Sequence, residues 1–215
     1  SLLFIHRTLE DADIYFLSNS SEEKITVAPI FRIYDKQPEA WNPQTSEIRV
    51  LPEFSQVAEG IKVPLVLEPL ESIFVIFKEK PCCEVGNNYP KKVCLRTLEG
   101  PWNLAFNSEK RGPSEIIVLD KLEDWSKNED ERIKYYSGSV MYTHTFDLER
   151  MPADEVYIDL GKVMVMARVW LNGEYVGGVW TYPHRLNIKK YLRKGENELQ
   201  IEVVNNWKNR LIGDF

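Results

Sequence analysis

The stretch VWLNGEYVGGVWTYPHRLNI, residues 169–188, crowds Trp180, Tyr182, His184 and Arg185 together at the end of an alternating run. Indole and phenol rings pair a flat apolar face with a polar edge, and a guanidinium presents a fork of donors. That combination suits a sugar, whose ring offers a C–H face to stack and vicinal hydroxyls to bond. The same residues also suit a strand end, with Trp180 and Tyr182 closing the edge of a β-sandwich and Arg185 paired with an acid. A second group, Trp207, Asn209 and Arg210 in NNWKNRLIGD, follows the last strand-like run. Residues just past a strand end sit where ligand-binding loops collect, although a structural corner held by hydrogen bonds would read the same way. Trp41, Trp102 and Trp125 read as core.

Other chemistries lack their residues. No G-x-S-x-G turn exists, and SGS at 137–139 resembles one only superficially. Phosphate-cradling and dinucleotide-binding glycine patterns are missing. His6, His144 and His184 have no metal-ligand spacing and read as structural. Glycoside hydrolysis needs two carboxylates flanking the bond, and the 33 acidic residues do not single out a pair. Glu174, Glu196 and Glu202 read as solvated. Cys82, Cys83 and Cys94 make an odd set. Cys94 could bridge back to Cys82 or Cys83, or all three could stay reduced. A zinc site would need further ligands that are not nearby.

The elements that must position these residues are strands. ADIYFLSN, ITVAPIFRIYD, SEIRVLP, GIKVPLVLEP and SIFVIFKE are short β runs closed by Pro, Gly, Asn, Asp or Ser. The Pro-rich KQPEAWNPQT reads as a connection between two of them. Residues 1–80 thus read as a small β-sandwich and 81–97 as a linker. Residues 98–215 read as a second β-rich domain, in which NEDERIK is a charged loop and NIKKYL a single helical turn. Val140, Tyr142, His144 and Phe146 share one face of a strand. Val163, Val165, Ala167, Val169 and Leu171 share a face of another. Asn172-Gly173 is the pair that a two-residue hairpin turn favours, and Gly177-Gly178 allows a bulge or the close approach of another backbone. No amphipathic helix longer than about three turns is legible, and no internal repeat appears.

The formal charge of −6 and the scatter of basic residues exclude a concentrated positive face for nucleic acid. No run of about 18 apolar residues is present to span a membrane as a helix. The opening SLLFIHRTL lacks a basic region and a cleavage site, so it does not read as a signal peptide. With no initiator Met, the expectation is a processed chain or an excised piece of a longer one.

LEGPWNLAF, LEDW, IKYYSGSVMYTHTFDL and the run from YIDLGKVMVMARVWLNG to NNWKNRLIGD occur in order. This pattern resembles a galactose-binding-like jelly roll of the kind attached to bacterial glycoside hydrolases. It is similar to the sugar-binding domain of family 2, the β-galactosidase and β-glucuronidase relatives. It is more similar to the C-terminal part of family 106 α-L-rhamnosidase-like proteins of gut Bacteroidetes. The opening FIHRTLEDADIYFLSNSSEEKITVAPIFRIYDKQPEAWNP resembles the segment after the catalytic barrel of those proteins. The resemblance implies an all-β chain, a small β-sandwich followed by a galactose-binding-like jelly roll. It implies a parent glycoside hydrolase, periplasmic or extracellular, whose catalytic domain and catalytic acids lie outside this sequence. The partners implied are a carbohydrate and that missing catalytic domain. No cofactor is expected, although such jelly rolls often carry a structural calcium ion. His184 stands where the family pattern has an aromatic residue, which removes stacking at 184 and leaves Arg185 in place. A purely structural or protein-interacting sandwich without sugar affinity is the rival reading, and a small glycosidase in its own right is a third.

Overall fold

A computed structural model describes residues 1–79 and 86–215. They form two compact units, Ser1–Val93 and Cys94–Phe215.

In the first unit the strands are β1 (Leu2–Thr8), β2 (Ala12–Asn19), β3 (Ile25–Val27), β4 (Ile30–Phe31), β5 (Lys36–Trp41), β6 (Ile48–Val50), β7 (Ser55–Val57), β8 (Gly60–Lys62), β9 (Leu65–Leu67) and β10 (Ser72–Glu79). One antiparallel sheet has the order β1-β2-β10-β5-β6, while β3-β9 and β4-β8-β7 form two smaller ones. Period-2 alternation builds the core, because every second side chain of a strand shares a face. Tyr15 and Leu17 of β2 and Val75 and Phe77 of β10 are buried with Phe31, Ile61, Leu65 and Leu67 of the smaller sheets and with Val63 between β8 and β9.

Two details differ from the sequence reading. KQPEAW is a strand, and β5 lies inside the sheet between β10 and β6. Pro38 lacks an N–H but still accepts the Leu51 N–H through its carbonyl at 3.0 Å, so the ladder to the edge strand survives the proline. The stretch expected to be linker also contributes to the first unit. Buried Asn88 donates to the carbonyls of Glu53 and Pro64 at 2.7 and 3.1 Å and accepts the Glu53 N–H at 2.9 Å. Cys82, Cys83 and any bridge to them lie outside the described residues, and Cys94 is exposed.

In the second unit the strands are β11 (Trp102–Phe106), β12 (Ile117–Leu119), β13 (Ser139–Leu148), β14 (Tyr157–Asp159), β15 (Met166–Leu171), β16 (Glu174–Val179), β17 (Arg185–Asn187) and β18 (Gly195–Val204). Two short helices are α1 (Glu131–Lys134) and α2 (Lys208–Gly213). The main antiparallel sheet runs β12-β11-β13-β18-β15-β16, and β14-β17 is a separate pair. Its core holds Trp102, Trp125, Val140, Tyr142, Ala167, Val169, Leu171, Leu186, Leu199 and Ile201. The core reading of Trp102 and Trp125 holds. Trp41 in the first unit is only half-buried, donates to Glu39 and lies under the Lys78 ammonium. NEDERIK is not a plain exposed loop. Asp130 caps α1 by accepting the Arg132 N–H at 2.8 Å, and Ile133 reaches the core.

The hairpin turn is where the residues place it. Asn172 and Gly173 both have positive φ, +55° and +83°, as a tight two-residue turn demands. The register between β15 and β16 shifts at Val169/Trp170, because Val169 faces Gly177 and Trp170 faces Tyr175. The bulge therefore falls next to the paired glycines. Val165, read as sharing a face with Ala167, instead lies before β15 and is exposed.

Candidate functional site

The register of the main sheet gathers strand ends onto one rim. Val179 of β16 and Val203 of β18 both face Ala167 of β15, Val203 also faces Val140 of β13, and Val140 faces Phe106 of β11. This row lies within a residue or two of the ends of β16, β18 and β11 and of the starts of β15 and β13. Trp180 follows β16 directly, and Trp207, Asn209 and Arg210 follow β18. Both tryptophans are exposed, Trp180 at 60% and Trp207 at 72%. The start of β15 lies between them in strand order, and Met164 and Val165 just before it are exposed too. With strands about 4.8 Å apart, the ends of β16 and β18 are separated by roughly 10 Å.

The rim is braced from below. The Asn205 amide donates to the Tyr136 carbonyl at 2.9 Å and accepts the Gly138 N–H at 2.8 Å, tying the exit of β18 to the entry of β13. The Arg210 N–H donates to Ser137 Oγ at 3.0 Å. The Arg210 guanidinium is held by Asp214 one turn along α2. Asn209 is half-buried on the same turn.

Tyr182, His184 and Arg185 leave this rim along the loop into β17. The Tyr182–Pro183 peptide bond is cis. The His184 ring is buried and lies 4.5 Å from the Tyr182 ring. His184 Nδ1 is 3.0 Å from the Gly161 carbonyl oxygen, which can only accept, so Nδ1 carries the proton. The Arg185 Nε donates to Asp159 Oδ2 at 2.7 Å. Burial alone would raise the Asp159 pKa, but the Gly161 N–H and the Arg185 guanidinium outweigh it and hold the carboxyl below its ordinary range. The structure thus brings Trp180, Trp207, Asn209 and Arg210 to one rim, with Tyr182 on the loop leading away and Arg185 at the start of β17. Both guanidiniums already sit in ion pairs with nearby carboxylates.

Several other titratable groups have structural partners. His144 stacks on Trp102 at 4.5 Å and bonds the Pro101 carbonyl at 3.0 Å. His6 lies 3.1 Å from Asp13. Tyr142 accepts the Trp125 Nε1–H at 2.6 Å, and burial pushes its pKa up to about 12. Glu174 and Glu196 are exposed as expected, whereas Glu202 is half-buried and paired with Arg168. Glu71 is held above the ordinary carboxylate range by burial, but its Oε2 accepts the Glu68 N–H at 2.7 Å and closes a local turn. A hollow lined by Asp147, Leu148, Glu149, Lys194 and Gly195 lies at the far end of the β13–β18 pair, away from the tryptophan rim. Among the described residues no three His, Cys, Asp or Glu side chains converge to hold a cation.

Sequence reasoning missed the polar groups that shape this unit. Asn197 is fully buried and makes four hydrogen bonds that link Asn172, Arg193 and Gly195. The only signal was an Asn in the turn-like RKGENE, where an exposed amide is the ordinary reading.

The relatives of this all-β chain are glycoside hydrolases and their domains. Residues 1–55 match the family model described as alpha-L-rhamnosidase, glycoside hydrolase family 106. Residues 115–212 match the glycosyl hydrolase 2 galactose-binding domain-like model. The rhamnosidase from Novosphingobium sp. PP1Y superposes with a TM-score of 0.91 and 35% identity over 99% of this chain and 20% of its own. A protein of Formosa agariphila named "Putative beta-glucuronidase" is 39% identical over 125 residues, 54% of this chain and 10% of that protein. The chain therefore resembles family 106 and family 2 glycoside hydrolase domains and has the all-β fold of part of a rhamnosidase. It spans one fifth or less of the length of these two relatives.

Proposed function

We propose that residues 1–215 form a non-catalytic, carbohydrate-associated region of a larger glycoside hydrolase, rhamnosidase-like or β-galactosidase-like, that works in the periplasm or outside the cell. The observation that carries this reading is the superposition of nearly the whole chain on one fifth of a rhamnosidase. A catalytic domain elsewhere in the same polypeptide supplies bond cleavage. Trp180 and Trp207 offer stacking faces for a sugar ring, and Tyr182 follows the first by two residues. Arg185 with Asp159 and Arg210 with Asp214 offer a donor next to an acceptor, which matches vicinal hydroxyls, and Asn209 adds an amide.

Calorimetric titration of the purified chain with rhamnose, galactose and plant polysaccharides tests this reading. Saturable binding is expected, and Trp180→Ala should weaken it about tenfold, the loss of roughly 1.4 kcal/mol, without moving the melting temperature. Turnover of a nitrophenyl glycoside by the chain, abolished by changing one of its own carboxylates, would overturn the non-catalytic assignment. The ion pairing of Arg185 and Arg210 favours a second reading, a purely structural module. Flat titrations throughout would select it.

A further inference from the structure

Among the described residues nothing pairs with the outer edge of the large sheet in the first unit. β1 pairs with β2 over seven consecutive residues, from Leu2↔Asn19 to Thr8↔Asp13, with no break in register. Among the described residues no strand lies on its other side. In an antiparallel strand every second residue turns its N–H and C=O away from its neighbour, so β1 presents an unpaired row of backbone groups. Folded proteins shield such rows with short strands, bulges, prolines or charges. The other edges of the two larger sheets follow that rule. β6 and β12 have three residues each, and β16 is bulged beside Gly177. β1 has no such device over Leu2–Ile5.

Its side chains point the same way. Phe4 lies directly opposite Leu17 and His6 opposite Tyr15. Leu17 and Tyr15 belong to the buried core, and side chains directly opposite across a strand pair share a face. Phe4 therefore sits on the core-facing side of the sheet, yet it is 67% exposed. On the other face Leu3 and Ile5 are 58% and 59% exposed. Backbone edge and both faces are uncovered at one place, where Leu3, Phe4 and Ile5 are all apolar, which marks an interaction surface rather than scattered exposure.

We propose that β1 is completed by an extended strand with alternating apolar side chains, supplied by the part of the larger hydrolase outside residues 1–215. This rests on the reading of the chain as a region of such a protein. β1 lies within residues 1–55, the stretch matched by the rhamnosidase model, and four fifths of the superposed rhamnosidase lies outside the matched region. The added strand takes up the free N–H and C=O groups of β1, the mode by which extended segments join exposed sheet edges. Its inward side chains cover Phe4.

Hydrogen–deuterium exchange of Leu2–Thr8 in residues 1–215 alone and in the longer polypeptide tests the proposal. The amides facing away from β2 should exchange rapidly in the short chain and at least about 100-fold more slowly in the longer one, since edge amides open with little cost and paired ones do not. Phe4→Lys should lower the melting temperature of the longer polypeptide and leave that of residues 1–215 unchanged. Equal exchange in both proteins would overturn the proposal. So would a concentration-dependent dimer of residues 1–215 that protects the same amides and is dispersed by Phe4→Lys, since the occupant would then be a second copy. Neither readout depends on sugar binding or turnover, so its failure is separable from that of the accessory reading.

Discussion

Replacing Asn197 by alanine should cost the second unit about 4 kcal/mol. The side chain is fully buried on β18. Its Oδ1 accepts from Asn172 Nδ2 and from the Arg193 N–H, both at 2.9 Å. Its Nδ2 donates to the carbonyls of Arg193 and Gly195, both at 2.8 Å. All the hydrogen-bonding capacity that the amide needs to satisfy is used, and four partners are orphaned when it goes. At roughly 1 kcal/mol net for each bond, the loss is about 4 kcal/mol. For a unit of this size that is a drop of roughly 12–20 °C in melting temperature. Guanidinium denaturation followed by tryptophan fluorescence suits the measurement, because Trp102, Trp125, Trp170, Trp180 and Trp207 all lie in this unit. Asn197→Asp sharpens the test. It keeps shape and acceptors but loses both donated bonds and turns a carboxylate toward two carbonyl oxygens, so near neutral pH it should fare no better than alanine. A loss below about 1 kcal/mol for both variants would refute the idea that this buried amide organises the 193–197 turn and the β15–β16 hairpin.

Asp13 should make the first unit acid-sensitive. Burial alone would raise its pKa, but hydrogen bonds from Lys36, His6 and Thr8 outweigh it and hold it below the ordinary value. A depressed folded-state pKa stabilises above the unfolded value of about 3.9 and loses that stability as pH falls through the folded value. The acid limb of a stability–pH curve should therefore flatten in Asp13→Asn, and an unchanged limb would count against the cluster. Tyr142→Phe leaves the buried Trp125 Nε1–H without its acceptor and should cost about 1–3 kcal/mol in denaturant unfolding. Gly60 has φ +140°, and a Cβ there would lie 1.9 Å from the Phe31 carbonyl oxygen. Gly60→Ala should accordingly destabilise the first unit by about 3 kcal/mol or more, measured by calorimetry.

How far the sequence could be read varies with the element. The β10 run SIFVIFKE was legible because a continuous apolar stretch of strand length is the mark of a strand covered on both sides, and Ile73, Val75, Ile76 and Phe77 are buried. The Asn172-Gly173 hairpin was legible because only a few residue pairs tolerate two positive φ angles in succession. KQPEAW was not, because Pro38 argued against an interior strand and only the neighbouring β6 shows that its carbonyl, not its missing N–H, is the group the ladder uses. The linker over 81–97 failed at Asn88 for a related reason. The run Gly86-Asn87-Asn88 reads as a turn, and nothing local reveals that the Asn88 amide will be buried against Glu53 and Pro64.

Residue types and their order thus determined the all-β class, the likeness to glycoside hydrolase domains and the identity of the ringed and forked side chains that could meet a sugar. Such properties are local, since alternation, turn chemistry and side-chain shape act over a few neighbouring residues. Only the tertiary structure decided that Trp180 and Trp207 share a rim, that Asp159 and Asp214 hold Arg185 and Arg210, and that Phe4 faces the core side of its sheet uncovered. Those facts depend on strand order and register, which join residues far apart in the chain through backbone hydrogen bonds.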